Sequence, residues 1–287
     1  MIASRVQLAR HDSPLGWWEM ARAAPDPRLR AHVSGYTGYV EHTTGFTRRR
    51  ELPSGAATLI VSFGPVIDVG FPELGAREER FESFVAGLHD TYATTESSGF
   101  QHGLQVHLTP LGAFRIAGQP MSELANRVVP LVDALGRSGA HLAEMLYDAG
   151  DWAARFDLLD AIVIERLAEA PRCSPDVVWA WRRLIETDGR VAIGALATEL
   201  GRSHRHLTTR FREQVGLPPK TLARVLRFHR VVGLASGAGR PGWAEVAYDC
   251  GYYDQAHLNR DFREFAGSTP TEFLARLLPD GGGVSGH

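Results

Sequence analysis

Between Ala195 and Leu274 the chain contains one pattern twice, and a duplicated unit of this size constrains the fold more than any other feature of the sequence. The first copy reads Leu196-Ala197, Leu200-Gly201, Ser203, Leu207, Phe211-Arg212-Glu213, Gly216 and Pro219. The second reads Val246-Ala247, Cys250-Gly251, Asp254, Leu258, Phe262-Arg263-Glu264, Gly267 and Pro270. They run in step about fifty residues apart, with one extra residue in the second turn. Each copy predicts a short apolar helix, a Gly-containing turn and a second helix, which is the helix-turn-helix pattern. Gly201 supplies the backbone freedom of a sharp turn, and Ser203 and Asp254 are good N-caps.

The second helix of each copy is amphipathic. Over about 203–215, Leu207, Phe211 and Val215 recur at i, i+4 and i+8, so one face is buried. The start and the opposite face then present Ser203, Arg205, His206, Thr208, Thr209 and Arg212. Over about 254–265, Leu258 and Phe262 are buried and Gln255, Ala256, Asn259, Arg260 and Arg263 face outward. Such side chains suit double-stranded DNA: Arg forks onto guanine, Gln or Asn onto adenine, and Thr or Ala touches a thymine methyl. From Arg202 to Arg230 the basic residues are Arg202, Arg205, Arg210, Arg212, Lys220, Arg224, Arg227 and Arg230, against the single acid Glu213. A solvated helix face would mix signs, so this run predicts phosphate contact.

The stretch Gly201 to Pro219, and more distinctively Ala247-Tyr248-Asp249-Cys250-Gly251-Tyr252, Leu258-Asn259-Arg260-Asp261-Phe262-Arg263 and Gly267-Ser268-Thr269-Pro270, resembles the DNA-binding domain of the AraC-type family of transcription regulators. The resemblance implies a bacterial, sequence-specific DNA-binding regulator, activator or repressor, without catalysis. It implies two recognition helices joined by a linking helix, here about 218–236 and ending in Gly237-Ala238-Gly239. Helices held that way read two sites about one turn, ~34 Å, apart on one DNA face.

A chain of 287 residues has room for two domains, each with a core. Its net charge of −2 conceals an asymmetry, because the basic C-terminal part must be offset by acids elsewhere. DNA contact is therefore expected to be local. Two cysteines, Cys173 and Cys250, exclude a disulfide framework and a cysteine-based zinc site, and Cys250 reads as a small core residue. No apolar run approaches the ~20 residues of a membrane span, so a reducing cytoplasm is the expected setting. No cofactor is expected.

The expected fold class is α+β and multidomain. Residues 1–118 read as a β-rich domain, 119–172 as a helical linker or dimerisation segment, 173–280 as the all-α DNA-binding domain, and 281–287 as a disordered tail. Ala56 to Phe63 is a near-continuous apolar run that reads as a buried strand, with Val66 to Val69 its hairpin partner after Gly64-Pro65. Phe81 to Gly87, Thr91 to Thr95, Gly103 to Leu108 and Leu111 to Ile116 read as further short strands. Trp17-Trp18 and the Tyr36/Tyr39 pair flank an early strand, with aromatics at this spacing read mainly as core. Pro25 to Leu29 starts a short helix. From Met121 the spacing turns helical through Leu124, Val128, Val129, Leu142, Met145 and Leu146. A further helix opens at Asp151, another is capped at Ser174 or its neighbour, and Asp188-Gly189 ends it. In AraC-type regulators the partner domain is often a cupin-like β-barrel that binds an effector or mediates dimers, and this half resembles a degenerate version, as barrel or sandwich. A small-molecule effector, a second copy of the chain and, for an activator, RNA polymerase are the further partners the resemblance implies; no effector-binding residue can be carried over.

Two other classes make demands of their own on the sequence. A metal-dependent cupin-type enzyme fused to a DNA-binding domain would need convergent ligands. His89, His102 and His107 lie on or beside predicted strands, but His102 and His107 are an odd number apart and so face opposite sides of one strand. A DNA-alkylation-repair protein that borrows this domain would need a cysteine-rich zinc site. Arg48-Arg49-Arg50 reads as a solvated strand edge that discourages edge pairing, with an anionic effector or added DNA contact as the functional alternatives.

Overall fold

The computed structural model describes residues 5–75, 77–235, 242–276 and 284–285. Its strands are β1 (Val6–Ser13), β2 (Gly16–Ala23), β3 (Val33–Thr43), β4 (Thr47–Glu51), β5 (Ala57–Ser62), β6 (Ile67–Gly70), β7 (Glu79–Phe81), β8 (Phe84–Ala86), β9 (Ala93–Ser97), β10 (Phe100–Leu108), β11 (Val128–Pro130) and β12 (Val284–Ser285). Its helices are α1 (Pro110–Ala117), α2 (Leu131–Leu135), α3 (Arg137–Ala140), α4 (Leu142–Asp148), α5 (Trp152–Glu169), α6 (Pro175–Glu186), α7 (Ile193–Glu199), α8 (His204–Val215), α9 (Pro219–Ala235), α10 (Trp243–Asp249), α11 (Gln255–Ala266) and α12 (Pro270–Arg276).

Alternation along β10 organises the N-terminal half. Leu104, Val106 and Leu108 are buried on one face, while Gln105 and His107 lie on the other. It pairs antiparallel with β3 and β5 in a sheet of order β1-β2-β3-β10-β5-β8-β11; a second sheet has the order β12-β4-β9-β6-β7. Neither sheet closes, so the architecture is an open pair of antiparallel sheets followed by helices. Ile60 and Phe84 of the first sheet meet Ile67, Val69 and Phe81 of the second. On its other side the first sheet packs under α5, where the Tyr36 ring stacks on Phe156 at 5.5 Å. The Tyr36 hydroxyl donates to Asp160 at 2.8 Å, and the same carboxylate accepts from Arg5 and from the Asp26 backbone.

Several local expectations are corrected. Leu111 to Ile116 is not a strand but most of α1: the Thr109 hydroxyl accepts from Gly112 N–H at 3.0 Å, Pro110 takes the first turn and Gly118 ends it at φ +69°. A continuous apolar run does not distinguish a buried strand from a buried helix, and here the caps decide. Val66 to Val69 is not the hairpin partner of β5; β5 pairs with β10 and β8, whereas β6 belongs to the second sheet, so Gly64-Pro65 carries the chain between layers. Val128-Val129 belongs not to a helix but to β11, paired with β8. Phe81 to Gly87 is split into β7 and β8 at Glu82-Ser83. The strand expected at Thr91 to Thr95 is displaced to β9.

The helical elements at Asp151 and Ser174 open where the sequence places them, with Asp151 accepting from Ala154 N–H at 2.9 Å. Asp188 and Gly189 both have positive φ, which turns the chain out of α6 into the repeat. The linking helix is α9, and the Gly237 to Gly239 end expected for it lies outside the described residues. So does the tail expected to be disordered, apart from Val284–Ser285, whose backbone pairs with β4.

Candidate nucleic-acid interface

The duplicated pattern folds as two helix-turn-helix units, α7–α8 and α10–α11, on either side of α9. In the first, Leu207, Phe211 and Val215 are buried; in the second, Leu258, Phe262 and Phe265 have no exposed surface. Gly201 and Gly251 sit at φ +61° and +78°, as each sharp turn requires. The Ser203 hydroxyl accepts from His206 N–H at 3.2 Å and the Asp254 carboxylate from His257 N–H at 2.7 Å, so each second helix starts on a side-chain cap. Ser203→Ala is expected to cost about 1 kcal/mol of stability, read as a lower thermal midpoint.

The sequence-predicted contact residues fall on the open faces of these helices. Arg205, His206, Thr209 and Arg212 are exposed on α8 and Thr208 is half-buried; Ser203 is exposed at the cap. On α11, Gln255, Ala256, Arg260 and Arg263 are exposed and Asn259 is half-buried. Each helix therefore gathers its own row.

The basic run is a different matter, and most of it is structural. Arg202 pairs with Asp176 at 2.8 Å, Arg210 with Glu213 at 2.7 Å, and Arg230 with Asp188. Arg224 pairs with Asp261 at 2.7 Å and Glu264 at 2.5 Å, and Arg227 donates to the Gly189 carbonyl at 2.8 Å. The hydrogen bond to Glu264, more than that to Asp261, raises the Arg224 pKa against the opposing effect of burial. The carboxylates that tie up these arginines, apart from Glu213, lie outside the run, so a one-signed stretch of sequence is not a one-signed surface. Sequence also passed over Arg190 and His257, which line a groove between the two units with Lys220, Arg227 and Arg260. The one available signal for Arg190 was its place between the Asp188-Gly189 turn and the first copy.

The chain ahead of the repeat touches both units. Arg50 donates to the Ala266 and Gly267 carbonyls at 3.0 and 3.4 Å, at the C-terminus of α11, and lies over the Tyr92 ring at 4.8 Å. Cations are favoured at that end of a helix. A Cβ on Gly216, at the end of α8, would meet the Met121 carbonyl at 3.1 Å, and Gln214 accepts from Ser174 N–H at 2.8 Å. The three-arginine run is thus no solvated edge: only Arg48 is exposed, paired with Glu78 and Glu96, while Arg49 points between the sheets to Glu41.

The histidines do not converge. His89 is hydrogen-bonded to the Thr91 carbonyl and faces Phe71, His102 sits among Phe63, Tyr147 and Trp152, and His107 contacts Thr37 on the opposite face of β10. Among the described residues no group of three His, Cys, Asp or Glu side chains is placed to hold a metal ion, and no helix is long and apolar enough to cross a membrane. Cys250 is fully buried.

A family model described as a helix-turn-helix domain matches residues 196–276, and one described as a domain of unknown function (DUF6597) matches residues 21–130. Among solved structures, ToxT from Vibrio cholerae is 10% identical, with 84% of this chain and 97% of that one covered at a TM-score of 0.48. The DNA-binding domain of AdpA, a global transcriptional factor solved in complex with a target DNA, is 24% identical over 36% of this chain and 92% of its own, at a TM-score of 0.33. A probable AraC family transcriptional regulator from Rhodopseudomonas palustris is 28% identical over 37% of this chain and 100% of its own, also at 0.33. No curated protein matches the chain. With both copies of the repeat folded and both second helices open to solvent, residues 196–276 form a helix-turn-helix domain that carries its unit twice.

Proposed function

We propose that the chain is an AraC-type transcription regulator that reads two successive major grooves with the rows on α8 (Ser203, Arg205, His206, Thr208, Thr209, Arg212) and α11 (Gln255, Ala256, Asn259, Arg260, Arg263), and that it has no catalytic chemistry of its own. Residues 173–280 would act as the DNA-binding domain, 1–118 as a sensor and 119–172 as the segment that links or dimerises. The observation that carries this is the contrast within the basic residues: Arg202, Arg210, Arg224 and Arg230 are held by carboxylates, while Arg205, Arg212, Arg260 and Arg263 have no described carboxylate partner. Arg260→Ala is expected to weaken specific binding by about 1–3 kcal/mol and to relax preference at one base pair, measured by competition between singly substituted duplexes. Unchanged discrimination at every position would remove Arg260 from base readout.

The sheet-rich half holds a polar cluster suited to a small effector. Glu41 and Arg49 form an ion pair between the sheets, with side chains only 9% and 15% exposed. Beside them Thr95 donates to Glu51 at 3.3 Å, and burial first, then the Glu41 charge, pushes the Tyr39 hydroxyl pKa up. The buried Nε of Arg49 has no acceptor among the described residues. A buried donor left unsatisfied costs about 1–3 kcal/mol, which a ligand oxygen would offset. ToxT has been solved with an unsaturated fatty acid bound; for this chain the reading rests on its own residues. Screening small carboxylates by thermal shift should find one that raises Tm in the wild type and not in Arg49→Met. If no member of a broad panel moves the wild-type Tm, dimerisation through the same half, with or without RNA polymerase contact, becomes the better account.

A further inference from the structure

The groove between the two helix-turn-helix units, about 710 Å³ in volume, has a one-sided lining. Arg190 enters it from the turn ahead of α7, Lys220 and Arg227 from α9, and Arg260 from α11, with His257 beside them. Its one acid is Asp261, which Arg224 already holds at 2.7 Å. No described carboxylate pairs with Arg190, Lys220, Arg227 or Arg260, although four other arginines of the same domain have found one. The arginine stems are also placed. Cγ of Arg190 and Cδ of Arg227 would lie 2.8 and 3.4 Å from a Cβ on Gly251, so they cross the second unit's turn where only glycine leaves room. Arg190 Nε donates to the Thr187 carbonyl, and Arg227 donates to the Gly189 carbonyl and lies 5.7 Å from the Tyr252 ring centroid.

We propose that this groove grips the DNA backbone that crosses between the two recognition helices, with Arg190, Lys220 and Arg227 as phosphate contacts outside those helices. The proposal rests on the DNA-reading assignment above and adds residues to it. A duplex engaged in two successive major grooves must present the intervening minor groove, bordered by two phosphate strands, to the waist of the protein. Four unpaired cations facing that space are what phosphates recruit, and such contacts fix register without reading sequence.

The test uses the full-length protein, a duplex that the wild type selects from a random pool, and an unselected duplex of equal length. Binding to both is measured across a range of salt concentrations. Lys220→Gln should make the plot of log K against log salt shallower by about one, and Arg190→Ala/Lys220→Gln by about two, with affinity for both duplexes falling by the same factor. The charge-preserving Arg190→Lys/Lys220→Arg should keep the wild-type slope. Lys220 is exposed and makes no described hydrogen bond or ion pair, so Lys220→Gln alone should leave the melting temperature unmoved. An unchanged slope in the double variant, or a loss confined to the selected duplex, overturns the groove assignment and leaves the DNA-reading assignment standing. A wild type that selects no sequence from the pool overturns both.

Discussion

Phe262→Ala is expected to remove about 3–5 kcal/mol from the stability of the second helix-turn-helix unit, and high-affinity DNA binding with it. Phe262 has no exposed surface. Its ring meets Phe228 of α9 at 4.9 Å, Phe273 of α12 at 5.7 Å and Trp243 of α10 at 6.2 Å, each near edge-to-face. One side chain of α11 therefore joins the linking helix to α10 and α12. Truncation loses the transfer free energy of the ring and leaves a cavity that three surrounding aromatics cannot close without leaving their rotamers. Phe262→Leu keeps much of the volume and is expected to cost far less, about 1.5 kcal/mol. Urea unfolding followed by tryptophan fluorescence checks this, because Trp243 lies against the substituted ring. A midpoint for Phe262→Ala close to that of the wild type would mean that the unit is not held together through this residue.

That residue was visible in the sequence, and the reason it was visible explains what was not. Leu258 and Phe262 sit four apart on one helix face, as do Leu207 and Phe211, and a buried stripe on an otherwise polar helix leaves a periodic mark. The duplication then shows the same mark twice. β1 leaves none: as an edge strand it has six consecutive exposed residues, Gln7 to Asp12, with no apolar alternation to betray it. α1 fails in the opposite way, since Leu111, Ala113, Phe114 and Ile116 are all buried and a helix apolar on every side has no period to read. Charge was the least legible. Whether an arginine is free for phosphate depends on a carboxylate that is often far away in sequence: Arg202 is answered by Asp176, Arg230 by Asp188 and Arg50 by a helix end more than two hundred residues on. The exposed rows of α8 and α11 follow from local periodicity, whereas Arg190 joins the groove only because the chain returns Gly251 to it.

Arg224→Ala is the second substitution expected to act strongly, at about 3 kcal/mol, because of what it leaves behind. Asp261 is 1% exposed, and Arg224, 26% exposed, is the cation that answers it from α9. Removing the guanidinium leaves a carboxylate that is 1% exposed and paired with no other described cation. Glu264, 47% exposed on the same arginine, returns to solvent with little loss, so Glu264→Gln should cost under about 1 kcal/mol. The Arg224→Met/Asp261→Leu pair removes both charges while keeping volume, and should recover most of what Arg224→Ala loses, since a buried ion pair contributes little net stability once its desolvation is counted. A double-mutant cycle by urea denaturation measures the coupling directly. DNA binding should then separate two roles of the pair. The bridge fastens α11 to the linking helix and so sets where α11 stands relative to α8; random-sequence binding, which needs only charge, should fall less in Arg224→Ala than binding to a two-site operator. If stability returns in the apolar double variant but operator preference does not, the ion pair fixes the position of α11 rather than its folding. If Arg224→Ala unfolds at the wild-type midpoint, Asp261 is not held by Arg224 and this account of the pair is wrong.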